Sequence, residues 1–251
     1  MSDQSFQLFF SSTQSDRQGA LNSDCTFSLP MIDIPDQHHI WLSVQSAVIP
    51  VSFYNVSNSN NSFTYSFSND NVEHTVFLTN GNYNVITLTT ALNALLNALG
   101  FTVTYNKTTN KLSFTHTTYN FFIYYALTSC SALIGNSIIN QQSINRVLTS
   151  DYVCNLAPIR AFQIAVPHIK TGNISKARQL CQTVLCQIPI TYQANGLVTY
   201  FNTTEFSSNL FVSYLHEIQI QILDQNGNLV NLNGVEWSIV LQMDILKYVA
   251  D

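Results

Sequence analysis

Apolar and polar residues alternate along most of the chain, and this period of two predicts β-strands. The residues between the apolar positions are mostly Thr, Ser and Gln, which is typical of strands with one face on a core and the other facing solvent or a partner. The pattern predicts an all-β protein with about a dozen strands. The clearest alternating runs are residues 40–44, 63–67, 101–105, 112–114, 218–222 and 237–245.

One segment changes to helical spacing and predicts an amphipathic helix of about four turns. Its apolar stripe consists of Val85, Leu88, Leu92, Leu95 and Leu99. Asn84 is a suitable N-cap, and Gly100 marks the C-terminal stop. Strands are predicted on both sides of this helix. The segment from Glu73 to Thr117 is therefore predicted to be a β-α-β-β insertion, at about 73–117, in a strand-rich chain. A weaker helical pattern runs from Ser175 to Leu185.

Two short segments have the composition of turns between strands. Asn226-Gly227 tolerates the positive φ of a tight turn and is predicted to join the last two strands. The sequence NKTTN at 106–110 is predicted to join a hairpin of residues 101–105 and 111–115.

The N-terminal residues 1–24 are predicted to form an arm outside a single domain of residues 25–251. An apolar patch of Phe6, Leu8, Phe9 and Phe10 precedes a polar run without sustained periodicity. Four large apolar side chains together indicate a docking segment, so these four residues are the candidate interface. The alternative is a first strand that pairs within the same subunit.

Charged residues make up only 9% of the chain, whereas soluble proteins contain about 25%. The hydrophobic content of 46% and the aromatic content of 12% argue against intrinsic disorder, so the chain is expected to fold. The nine Lys and Arg residues are scattered and the net charge is −5, so nucleic acid is not expected as a partner. The longest apolar run, at 121–127, is far shorter than the roughly 20 residues of a membrane span. The N-terminus has no secretory signal pattern, which predicts synthesis in the cytosol.

The sequence contains no recognisable catalytic, metal or cofactor motif, and none of these sites is expected. Adjacent strand residues such as His38 and His39 point to opposite faces and do not readily converge on one ion. Asp224 could begin a calcium loop, but the downstream Glu is missing and a turn explains the same residues. The cysteines have no paired spacing and are expected to be reduced and mostly buried. They are Cys25, Cys130, Cys154, Cys181 and Cys186.

Two long stretches, His74 to Asn106 and Leu112 to Asn145, contain no Lys, Arg, Asp or Glu. Interface cores are depleted of charge and enriched in aromatic residues, so these stretches favour contacts with other subunits. A compositional bias toward Asn is the alternative explanation.

The order of these motifs resembles that of the penton, or minor capsid, proteins of virophages and Polinton-like viruses. The segments that carry the resemblance are SAVIPVSFYNVSNSNNSF from Ser46, HTVFLTNGNYNVITLTTALNALL from His74, FTVTYNKTTNKLSF from Phe101, SALIG from Ser131 and the terminal LHEIQIQILDQNGNLVNLNGVEWSIVLQMDI. The resemblance implies a single jelly-roll β-sandwich, and about eight strands remain outside the insertion, as a jelly roll requires.

The resemblance further implies a homopentamer at the vertices of an icosahedral virion, assembled in the host cytoplasm beside the major capsid protein of the same virus. It implies no catalytic residue. The integrin-binding RGD motif of some adenoviral pentons is missing. Two alternatives remain: a receptor- or glycan-binding β module such as a fibre head, and an enzyme on a jelly-roll scaffold. A glycan array and metal analysis, respectively, distinguish them from the capsid role.

Overall fold

The computed structural model describes residues 4–36, 38–136, 139–167, 184–191, 193–203, 207–210 and 214–247. These residues form seventeen β-strands and two α-helices, α1 at Val85–Leu96 and α2 at Ser131–Ile134. The predicted all-β fold class is therefore confirmed. Neither helix of the described residues is long and apolar enough to cross a membrane.

The strands follow one another in the order β1 Gln4–Ser11, β2 Arg17–Gln18, β3 Asp24–Asp33, β4 His38–Pro50, β5 Ser62–Phe67, β6 His74–Phe77, β7 Phe101–Asn106, β8 Lys111–His116, β9 Phe121–Ile123, β10 Gln141–Gln142, β11 Val147–Thr149, β12 Ala161–Ala165, β13 Val184–Pro189, β14 Leu197–Phe201, β15 Ser208–Leu210, β16 Tyr214–Leu223 and β17 Ser238–Lys247. Short 3₁₀ turns lie at Ser12–Gln14, Asn97–Leu99 and Tyr125–Leu127.

The chain divides into two compact units. The sandwich unit consists of Met1–Phe53 and Ile159–Asp251, and the insert unit consists of Tyr54–Pro158. The inserted segment is thus more than twice as long as the predicted 73–117. The predicted bounds left β5, β9, β10 and β11 outside the insertion, although residues 63–67 of β5 were predicted as a strand. Local periodicity predicts strands but does not reveal that β9 pairs with β5 or that β11 pairs with β8.

The sandwich unit is a jelly-roll-like pair of antiparallel sheets. One sheet has the order β1-β17-β4-β14, with β15 also pairing β4, and the other has the order β13-β12-β16-β3-β2. Alternating side chains of both sheets form one hydrophobic cluster, the sandwich core. Ile40, Leu42, Ile220, Ile222 and Leu241 are fully buried in it.

The N-terminal segment belongs to the sandwich, so the prediction of an arm is wrong for the described residues 4–24. Strand β1 pairs with β17 from Gln4↔Ile245 to Ser11↔Ser238, and β2 pairs with β3. An eight-residue ladder pairs one edge of β1 with β17, and the side chains of Leu8 and Phe10 reach the core. This is the first-strand alternative considered above.

The turn at Asn226-Gly227 is present, but the strands that it separates lie in different sheets. Gly227 has a φ of 79°, and its N–H donates to the carbonyl of Asp224 over 3.0 Å. The chain returns only as far as the Leu223↔Leu229 bridge before it continues to the opposite sheet. The turn therefore lies between the last two strands of the chain, as predicted, but it does not form a hairpin between them, because β16 and β17 do not pair.

The insert unit contains a four-stranded sheet, β10-β9-β5-β6, and a three-stranded sheet, β11-β8-β7. The predicted hairpin is confirmed as β7 and β8, which pair from Phe101↔His116 to Asn106↔Lys111. Helix α1 supplies Leu88, Leu92 and Leu96 to a second hydrophobic cluster, the insert core.

The predicted N-cap of α1 is confirmed. The Asn84 side chain accepts from the N–H groups of Ile86 and Thr87, and the Thr87 hydroxyl pairs with the Asn84 N–H, which completes a capping box. Gly100 has a φ of 86° after the 3₁₀ turn that ends the helix. This turn rotates Leu99 out of the predicted stripe and leaves it 38% exposed.

A weaker helix is predicted from Ser175 to Leu185. Its residues up to position 183 lie outside the described residues. Val184 and Leu185 begin β13, so the prediction is wrong for them.

Candidate subunit interface

The outer face of the β1-β17-β4-β14 sheet carries a row of four residues that crosses all four strands. In order these are Phe9, Val240, Ser46 and Phe201. Phe9 is 71% exposed and Phe201 is 69% exposed. Strand spacing separates these two residues by about 14 Å. Two large aromatic side chains therefore stand on an open sheet surface.

Further apolar side chains extend this surface, which we call the Phe9 face. On β4, Trp41 is 37% exposed and Val48 is partly buried, while Leu197 on β14 is 55% exposed. Each points away from the core because it alternates with a buried neighbour. The remaining positions of the face are mainly Ser, Thr, Gln and Asn.

Charge on the Phe9 face is sparse, and its Asp244 carboxylate is hydrogen-bonded to neighbouring polar groups. Asp244 lies opposite Ser5, whose hydroxyl donates to the carboxylate over 2.6 Å. The amide of Gln242 donates to the same oxygen over 2.9 Å. An aromatic surface with mainly neutral polar surroundings has the composition of a protein–protein interface core.

The four residues predicted as an interface do not form one exposed patch. Phe10 is buried, and Leu8 packs against the sandwich core. Phe6 lies on the same face of β1 as these two residues and pairs with Met243 of β17. Only Phe9 points outward. The patch prediction is therefore wrong for Phe10 and Leu8, while the interface roles of Phe9 and of the 37% exposed Phe6 remain predictions.

The other side chains of the Phe9 face were not predicted from the sequence. Phe201 and Leu197 occupy the outward positions of an alternating run in which Val198 and Tyr200 face the core. A large apolar residue at an outward strand position was the available signal. The signal was not interpretable because the register of β14 against β4 brings together residues about 150 positions apart.

The side chains most suited to chemistry are the His, Cys, Asp and Glu residues of the described part of the chain. No group of three or more His, Cys, Asp or Glu residues there could hold a metal ion. Burial raises the pKa of the Cys130 thiol to about 12, so it remains protonated at neutral pH. His38 Nδ1 lies 3.0 Å from the carbonyl of Asp36.

The Asp224 loop is a turn, as the sequence indicates. The Asp224 carboxylate accepts from the N–H groups of Asn226 and Asn228, each over 2.8 Å. These hydrogen bonds account for the conformation of the loop as a turn.

No protein-family model and no curated protein sequence matches the chain. Among solved structures, the crystal structure of the mavirus penton protein is similar, with a TM-score of 0.54 and 12% sequence identity. The match covers 98% of this chain and 100% of the mavirus chain. The chain thus shares its fold with the mavirus penton protein.

Proposed function

We propose that the protein is a structural capsid protein that forms the pentameric vertex, or penton, of an icosahedral particle. The observation that carries this proposal is the similarity to the mavirus penton protein, which extends over essentially the whole of both chains. The protein is then a virion component, is assembled in the host cytoplasm and contacts the major capsid protein of the same virus.

The Phe9 face suits a closed ring of identical subunits. In such a ring, one patch of each subunit binds a different patch of the next subunit, so every subunit contacts two neighbours. Burial of the Phe9 and Phe201 side chains contributes about 1.5–3 kcal/mol each when the exposed part is fully covered. The hydroxyl and amide groups around them can form hydrogen bonds across the interface, and the hydrogen bonds from Ser5 and Gln242 offset part of the cost of burying the ionised Asp244.

The proposal assigns no catalytic residue to this chain. The Cys130 thiol is protonated at neutral pH, and the described residues contain no candidate metal cluster. A structural subunit needs stable surfaces rather than activated groups. The expectation that the protein is not an enzyme remains a prediction, and elemental analysis of the purified protein checks the metal component of this prediction.

Cryo-electron microscopy of particles that contain this chain tests its proposed location. We expect its density at the five-fold axes only, with five copies around each axis. Density at positions away from the five-fold axes would contradict the proposal.

A further inference from the structure

The insert unit contains a surface depression of about 530 Å³ beside helix α2. The 3₁₀ turn Tyr125–Leu127, the helix and residues 152–155 form its walls. Its volume lies within the range of about 300–1,000 Å³ that is usual for small-molecule sites.

Backbone contacts hold these walls together before any ligand binds. The N–H of Tyr152 donates to the carbonyl of Gly135 over 2.8 Å, and that of Asn155 donates to the carbonyl of Ala132 over 3.2 Å. Gly135 has a φ of 75°, and a Cβ atom at this position would lie 2.2 Å from the Tyr152 carbonyl oxygen. Only glycine permits this close approach, so the shape of the depression is built into the fold.

Two tyrosines give the depression an aromatic surface. Tyr152 is 60% exposed and Tyr125 is 37% exposed, and both line the cavity. Tyrosine provides a rigid, flat contact surface that loses little conformational entropy when it binds a ligand.

The remaining polar lining consists of neutral groups that both donate and accept hydrogen bonds. Asn136, Asn155 and Ser129 contribute amide and hydroxyl groups. Asn136 is only 6% exposed, and its side-chain oxygen has no hydrogen-bond partner among the described residues. None of the described residues that line the depression is charged.

We propose that this depression binds a neutral oligosaccharide. The C–H face of a sugar ring stacks on a tyrosine ring, and its hydroxyl groups pair with the amide and hydroxyl groups around it. A phosphate, sulfate or sialic acid would find no basic side chain in the lining to offset its charge. The site therefore selects uncharged sugars. The observations behind this proposal all lie in the insert unit, so the proposal does not depend on the proposed capsid role.

Binding of the full-length protein to an array of defined oligosaccharides tests the proposal. The probes are neutral N-acetyllactosamine, chitobiose, maltotriose and mannotriose, together with sialylated and sulfated N-acetyllactosamine. We expect binding to at least one neutral probe and to neither charged one. Binding to no probe, or to the charged probes only, would overturn the proposal.

Titration of the bound probe against variants then locates the site. Tyr152→Ala is expected to weaken binding by about tenfold or more, and Tyr152→Phe, which keeps the ring, by far less. Tyr54→Ala is the matched control because Tyr54 is 46% exposed in the same unit and does not line the depression. Thermal melts verify that each variant is folded. Equal affinities of Tyr152→Ala and Tyr54→Ala would refute the proposed location.

Discussion

The ring of Phe10 packs against the ring of Phe27, with centroids 4.7 Å apart and planes tilted by 54°. Phe10 lies on β1 and Phe27 on β3, so the contact joins the two sheets of the sandwich unit. Phe27 in turn makes an edge contact with the buried Trp237 over 6.3 Å. The N-terminal strand is thus held by the core as well as by its backbone ladder.

Phe10→Ala and Phe9→Ala are expected to differ sharply in stability, although the two residues are adjacent. Loss of the buried Phe10 ring should cost about 3–5 kcal/mol because it leaves a cavity between the sheets. Loss of the exposed Phe9 ring should change the free energy of unfolding of the isolated subunit by about 0.5 kcal/mol or less. Urea denaturation at low protein concentration measures both values, and equal values would favour a detached arm.

Leu92→Asp should unfold the insert unit. Leu92 is fully buried in the insert core, so an unpaired carboxylate there should cost about 4 kcal/mol or more. Ile86→Asp is the matched control because Ile86 is 63% exposed in the first turn of the same helix, where a negative charge is favourable. Circular dichroism melts compare the variants. A Leu92→Asp protein that melts like Ile86→Asp would show that the buried face is wrongly assigned.

Asn93 is expected to protect the backbone of β7. Its side-chain NH₂ donates to the carbonyl of Val103 over 2.7 Å, and its oxygen accepts from the Val103 N–H over 2.8 Å. Asn93→Ala removes both hydrogen bonds to the Val103 backbone and should lower the free energy of unfolding by about 2 kcal/mol. Hydrogen exchange should show faster exchange at the Val103 amide, whereas the exposed Asn97→Ala control should leave it unchanged. Unchanged protection in Asn93→Ala would contradict this role.

Cys130 is expected to make the fold less stable at high pH. Burial holds its pKa near 12, whereas an unfolded thiol has a pKa of about 8.5. The unfolded state therefore loses its proton first as the pH rises, so the stability contributed by the neutral thiol is complete below pH 8.5 and declines up to pH 12. Cys130→Ala should flatten this decline in urea denaturation at pH 8–10.5. An identical decline in both proteins would contradict the assignment.

Local interactions explain why α1 and the β7–β8 hairpin are predictable from sequence. The Asn84 cap, the leucine spacing and Gly100 all act within a few residues of the helix. The hairpin loop likewise joins strands that are only a few residues apart. In both elements the contacts that fix the structure lie within the segment that carries the pattern.

The candidate interface was less predictable because it depends on register between distant strands. Phe9 pairs with Val240, more than 200 residues away, and no local pattern specifies that pairing. The outward Phe9 also interrupts the inward series Phe6, Leu8 and Phe10, which hides the strand period of β1. The apolar residues consequently looked like one patch rather than two faces of a strand.

Native mass spectrometry of the purified full-length protein measures the assembly that the penton proposal requires. We expect a species of five times the chain mass of 28.2 kDa, in exchange with the monomer at low concentration. The double variant Phe9→Asp and Phe201→Asp should remain folded and shift the population to monomer, because two charges would be buried in the ring contact. A wild-type dimer or trimer, or a wild-type protein that stays monomeric at every concentration, would contradict the account.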